Sequence, residues 1–123
     1  MGNAPPAPRK LDMMIERLQA YLREVGLDVG VGEAARGLGM SSRSLQRALG
    51  RLGTSFREVR EQERMALAKT LLSETDMKGE AISKRLGYSS AAQFTTFFRL
   101  RAGRPPSAWR SFNRAQSAVA ASS

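Results

Sequence analysis

The chain contains no cysteine and no histidine. The first absence removes disulfides, thiol nucleophiles and thiolate metal sites. The second removes imidazole ligands and every histidine-based triad. Acidic side chains are scarce beside basic ones: 11 Asp and Glu face 20 Lys and Arg, a formal net charge of +9. A functional metal site built from carboxylates alone is not expected among so many cations, and no cofactor is expected. No apolar run approaches the ~20 residues needed to span a bilayer. The opening MGNAPPAPRK lacks the apolar segment of a signal peptide. β-branched residues are few and do not alternate, so no segment reads as a strand. A nucleophile–base pair and a phosphate-cradling loop are also missing, and an enzyme is not expected. The lack of cysteine fits a reducing cytoplasm, which is the expected location.

What is present is basic charge and helical patterning. A +9 excess favours a polyanion, nucleic acid before an anionic membrane surface. A chain of 123 residues suits one compact domain, or two very small ones sharing a long helix. Its 41% hydrophobic residues allow a real but modest core.

Residues 1–10 hold three of the five prolines and read as a flexible linker. Leu11, Met14, Ile15, Leu18, Leu22 and Val25 then follow the spacing of an amphipathic helix, closed by Gly26. A short helix over 32–38 ends at Gly39. Ser41 or Ser42 caps the next helix, 42–50, and this first subdomain spans 11–53. Thr54 or Ser55 caps a long helix, 54–74, with Ser55 and Glu58 at capping-box spacing. Its apolar stripe is interrupted by Glu63, for which a nearby arginine is the expected partner. Thr75 or Asp76 caps a helix over 78–86, and Ser89 or Ser90 caps another over 91–101. Pro105 and Pro106 open a last helix to about Arg114, closing a second subdomain over 75–114. The small polar stretch 115–123 reads as a flexible tail. The fold class is therefore all-α, with about seven helices in two helix-turn-helix subdomains joined by a long linker helix.

The two subdomains resemble each other. Leu38-Gly39-Met40-Ser41-Ser42 matches Leu86-Gly87-Tyr88-Ser89-Ser90 at an offset of 48, whereas Leu45 matches Phe94 at 49. The second unit thus has one extra residue after its turn. Each unit reads as a short helix, a tight glycine turn and a serine-capped second helix. The inner face of that second helix is Leu45 and Leu49, or Phe94 and Phe98. Its outer face is free to enter a major groove, where base edges are distinguishable. The capped N-terminus directs free N–H groups and a positive dipole end at phosphate. Phe94, Phe98 and Trp109 are expected to be core rather than a base-stacking set.

Through LGMSSRSLQRAL, GTSFREV, ALAKTLL and AISKRLGYSSAAQFTTFFRLRAGRPPSAWR, the chain resembles the DNA-binding domain of the AraC/XylS family of bacterial regulators. The likeness covers about Leu11 to Arg110. In its second half Ile82, Leu86, Gly87, Tyr88, Phe94, Phe98, Arg99, Gly103, Pro106 and Arg110 fall in step, with Trp109 in place of the usual Tyr. The resemblance implies two recognition helices, about 42–50 and 91–101, offered to adjacent major grooves of double-stranded DNA. It assigns base contacts to Arg43, Gln46 and Arg47 in the first. In the second the facing positions are Ala92, Gln93 and Thr96, where many members carry an arginine at the last. That helix is expected to read DNA more weakly, through Gln93, a thymine methyl against Ala92, or backbone contacts. Backbone contacts are expected from Ser41, Ser42, Arg51, Ser89, Ser90, Thr95, Arg101 and Arg104. The family usually carries a separate sensing or dimerisation domain; none is visible here, so the chain is expected to be either an excised C-terminal domain, the favoured reading, or a single-domain regulator.

Two other readings compete. One is a non-specific basic nucleic-acid binder or nucleoid-type protein, which would need neither tandem recognition helices nor Gln46. The other is a helical module docking an acidic partner such as RNA polymerase, an accompaniment to DNA binding rather than a rival.

Overall fold

The computed structural model describes residues 6–122, with side chains from 13 to 120. Seven helices and no strand occur among the described residues. They are α1 (Pro6–Val25), α2 (Val31–Gly37), α3 (Ser42–Arg51), α4 (Phe56–Glu74), α5 (Gly79–Leu86), α6 (Ala91–Ala102) and α7 (Pro106–Ser122). The all-α class is as expected. The chain forms two compact units, Met1–Glu63 and Arg64–Ser123. Their division falls inside α4.

The first unit has an aliphatic core. Leu18 and Leu22 of α1, Ala34 and Ala35 of α2, Leu45 and Leu49 of α3, and Val59 of α4 are all buried. The four-residue spacing of Leu18 and Leu22, and of Leu45 and Leu49, puts each pair on one face of its helix, and α1 packs on α2 and α3. Val25, placed in this stripe from the sequence, is instead 47% exposed, because α1 ends there and the chain leaves the helix at Gly26, φ +134°. Glu63 is buried and does have an arginine partner. Arg23 of α1 donates from Nε to Oε1 at 2.8 Å and from Nη2 to Oε2 at 3.3 Å. A buried carboxylate without a counter-charge would be costly; the two-pronged contact supplies one. The hydrogen bond to Glu63, reinforced by its charge, holds the Arg23 guanidinium above its ordinary range.

The second unit has an aromatic core. Tyr88 lies 5.7 Å from Phe94, Phe94 is 5.8 Å from Phe98, and Phe98 meets Trp109 edge-on at 5.8 Å. Such pairs add about 0.5–1.5 kcal/mol beyond area burial. Phe97 stacks on the other side of Tyr88 and is half-buried. The Arg64 guanidinium sits 4.6 Å from the Tyr88 ring and donates to the Gly87 carbonyl. These contacts join α5, α6 and α7 around one run of rings.

Three local expectations are corrected. Neither Thr75 nor Asp76 caps α5: its N-cap is Lys78, with no side-chain cap. The Thr75 hydroxyl instead donates to the Leu71 carbonyl at 2.6 Å and accepts from the Met77 N–H, closing the end of α4. The stretch 115–123, read as a flexible tail, is helical to Ser122. Ala115, Ala118, Ala120 and Ala121 fall in it, and alanine has the highest intrinsic helix propensity. At the other end α1 already begins at Pro6 within the expected linker; Pro6 and Pro8 stand in its first turn, where the missing N–H has no helical partner. Residues 1–5 of that linker lie outside the described residues.

Candidate nucleic-acid interface

The internal repeat is built by the same hydrogen bonds in both units. The Gly39 N–H donates to the Arg36 carbonyl and the Met40 N–H to Ala35; the Gly87 N–H donates to Lys84 and the Tyr88 N–H to Ser83. These pairs are 48 residues apart. Both glycines are left-handed, with φ +75° and +84°, a conformation an L side chain strains to adopt. Gly37 is required for a different reason: a Cβ there would lie 2.2 Å from the Tyr21 ring.

The caps repeat at 49. The Ser44 N–H donates to Ser41 Oγ at 3.1 Å, and the Gln93 N–H to Ser90 Oγ at 3.0 Å. The N-caps are therefore Ser41 and Ser90, and the extra residue of the second unit is Ser89, inserted in the turn. Each of the long linker's two candidate caps is likewise resolved: Ser55, not Thr54, accepts from the Glu58 N–H.

On α3, Leu45, Ala48 and Leu49 face inward and are buried. Arg43, Gln46, Arg47 and Arg51 are exposed on the opposite face. The structure thus brings the expected base-contacting residues of the first unit together on one free surface. Ser41 is exposed and Ser42 half-buried at its N-terminal end. An open pocket of about 310 Å³ adjoins this face, lined by Val31, Gln46, Thr54, Ser55, Phe56 and Arg57. Arg57, exposed on the first turn of α4, was not among the expected contacts; no motif marks it.

On α6, Phe94 and Phe98 are buried, and Ala92, Gln93, Thr95 and Thr96 are exposed. Gln93 is not a free reader. Its Oε1 accepts from the Ser89 N–H and the Ser89 hydroxyl, both at 2.8 Å, so it closes the turn that its own backbone helps to cap. Arg101 in the last turn of α6 and Arg104 just beyond the helix are exposed, with the Arg104 guanidinium 3.7 Å from the Phe112 ring.

One arginine has a role that sequence spacing did not disclose. Arg110 of α7 donates to the carbonyls of Leu72 at 2.9 Å, Thr75 at 3.0 Å and Met77 at 2.6 Å. Arg114 adds a bond to the Thr75 carbonyl and another to the Asp76 carboxylate. The last carbonyls of a helix have no partner within it; here two guanidiniums from a helix more than thirty residues later serve the end of α4. These cations hold the fold of the second unit rather than offering charge to a ligand.

A family model described as "Helix-turn-helix domain" matches residues 34–111, from the buried alanine of α2 to the first half of α7. The chain belongs to the AraC-type helix-turn-helix family. The ornithine utilization regulator of Pseudomonas aeruginosa is 37% identical over 78 residues, 63% of this chain and 23% of that protein. The solved structure of the transcriptional regulator CdpR from the same organism has 32% identity and a TM-score of 0.72, covering 80% of this chain and 31% of that one. The DNA-binding domain of AdpA, solved in complex with a target DNA, has 25% identity and a TM-score of 0.73, covering 83% of this chain and 94% of that one. The chain spans about a quarter of the length of the curated relatives it matches. As a member of this family it is a DNA-binding unit of transcription regulation, and the relatives are regulators rather than enzymes. Among the described residues no helix is long and apolar enough to cross a membrane.

Proposed function

We propose that this AraC-type chain recognises a specific sequence of double-stranded DNA, inserting α3 and α6 into adjacent major grooves. The observation that carries the reading is the outward face of α3. Its Arg43, Gln46 and Arg47 are exposed, share one side of a capped helix, and have donors suited to guanine and adenine edges. Ala92, Gln93 and Thr96 form the weaker second contact. Ser41, Ser42, Arg51, Ser89, Ser90, Thr95, Arg101 and Arg104 meet the phosphates on either side. Phosphate contacts set position and supply most of the affinity; base contacts supply the choice. Regulation of transcription in the cytoplasm is the setting this chemistry fits.

Selection from a randomised duplex library tests the reading. The expected result is an enriched site with one strongly defined half, bound with an affinity that falls steeply between 50 and 200 mM salt, by about 10³-fold for six phosphate contacts. Enrichment of no motif, with the same salt response on every duplex, would leave a non-specific basic binder in its place.

A further inference from the structure

The two N-caps, Ser41 and Ser90, put α3 and α6 in register residue by residue at an offset of 49. In that register Leu45 meets Phe94 and Leu49 meets Phe98, all four buried. The outward column of α3, at steps of four, is Arg43, Arg47 and Arg51. The same column of α6 is Ala92, Thr96 and Leu100. All six residues are exposed, and Leu100 is 73% so. Three guanidiniums have been exchanged for a methyl, a methyl with a hydroxyl, and an isobutyl group. The column advances about 6 Å per step, so it covers about 12 Å of groove.

We propose that this column reads the C5-methyl groups of thymine, and that Leu100 is a specificity-determining residue of the second unit. The inference rests on the DNA-binding reading and deepens it. Ala92 and Leu100 carry no donor and gain nothing from the acceptors of guanine or adenine, and Thr96 presents a methyl beside its single hydroxyl. Of the four bases only thymine presents an apolar group in the major groove, and alanine and threonine methyls are suited to it. The Gln93 carbonyl oxygen, an acceptor on the same helix, is occupied by Ser89. The charge of this unit fits a duplex rather than an apolar protein surface: Lys84 and Arg85 on α5 and Arg99 and Arg101 on α6 are exposed, and such cations complement phosphates. A lone exposed leucine has no significance in itself. This one is informative because it completes a column whose counterpart is entirely arginine.

The test uses the 123-residue chain and the duplex enriched from the library. The half read by α6 is the one whose base preferences persist in Arg43→Ala. Deoxyuridine replaces thymidine in that half, which removes the methyl and leaves every hydrogen-bonding group in place. Affinity is expected to fall about fourfold for each contacted methyl. In Leu100→Ala the effect at one thymine should disappear, with an unchanged melting temperature because the side chain is exposed. Thr96→Arg should move the preference at its position from thymine to guanine. Equal binding of thymidine and deoxyuridine duplexes, with the Arg43 dependence intact, would overturn this inference and leave the DNA-binding reading standing. A deoxyuridine effect that Leu100→Ala does not alter would remove Leu100 from the assignment. Failure to enrich any site would overturn both readings.

Discussion

The two units solve one architectural problem with different chemistry. Each has a short helix, a left-handed glycine, a serine cap and a second helix with its inner face buried. In the first unit the core is aliphatic and the outer face of α3 is cationic. In the second the core adds a chain of rings from Tyr88 to Trp109 to the buried Leu72, Ile82 and Leu86, and the outer face of α6 has no charge until Arg99. Core and reading face can vary independently because a helix presents them on opposite sides. What both units keep is the turn, where backbone geometry leaves little choice. The duplicated plan therefore does not imply duplicated function: in the proposed reading α3 discriminates by hydrogen bonding and α6 by methyl contact.

The largest expected effect breaks that asymmetry at its stronger end. Arg43→Ala with Arg47→Ala should weaken binding to the selected site by about 2–6 kcal/mol, at 1–3 kcal/mol for each bidentate contact. Ala92→Gly with Thr96→Ala should cost no more than about 1.6 kcal/mol, about 0.8 kcal/mol for each methyl contact, measured by fluorescence anisotropy under the same salt. Comparable losses from the two pairs would show the units to be equal partners.

A smaller effect concerns stability and separates cations that hold the fold from cations that face outward. Arg110→Ala leaves the end of α4 without its main donor and should destabilise the second unit by about 2–3 kcal/mol, since hydrogen bonds from charged groups are the stronger kind. Amide exchange should quicken in α5 to α7 and change little in α1 to α3. Arg43→Ala, by contrast, should leave exchange unchanged everywhere.

The smallest effect sharpens the comparison of the caps. Ser41→Ala and Ser90→Ala should each cost about 1 kcal/mol in thermal unfolding. Ser90→Ala should be the larger, because Gln93 joins the cap to Ser89 in the second turn. The order reversed would show that the inserted Ser89 stabilises its turn without Ser90.

The helices and the repeat were legible in the sequence because their causes are local. Apolar spacing, glycines and serine caps act within one or two turns, and a doubled motif is visible without knowing what it packs against. The outward placement of Arg43, Gln46 and Arg47 followed from that periodicity. Less was legible wherever a partner lay far along the chain. Arg23 and Glu63 are forty residues apart, and the Arg110 guanidinium reaches carbonyls that no side-chain pattern advertises. The sequence offered two serines at each cap and could not choose between them, since both spacings suit a helix start. It placed Gln93 among the readers because glutamine is chemically apt, but the folded turn brings the Ser89 donors to its carbonyl oxygen.

By itself, the sequence determined the class of fold, the tandem plan, the basic character and the cationic outward face of α3. All of these follow from composition and from periods of three to four residues. Only the tertiary structure decided which serines cap, which arginines are structural, and that Leu100 stands in register with Arg51. Those depend on distances between residues remote in the chain, or on a turn one residue longer than its twin, and packing alone settles them.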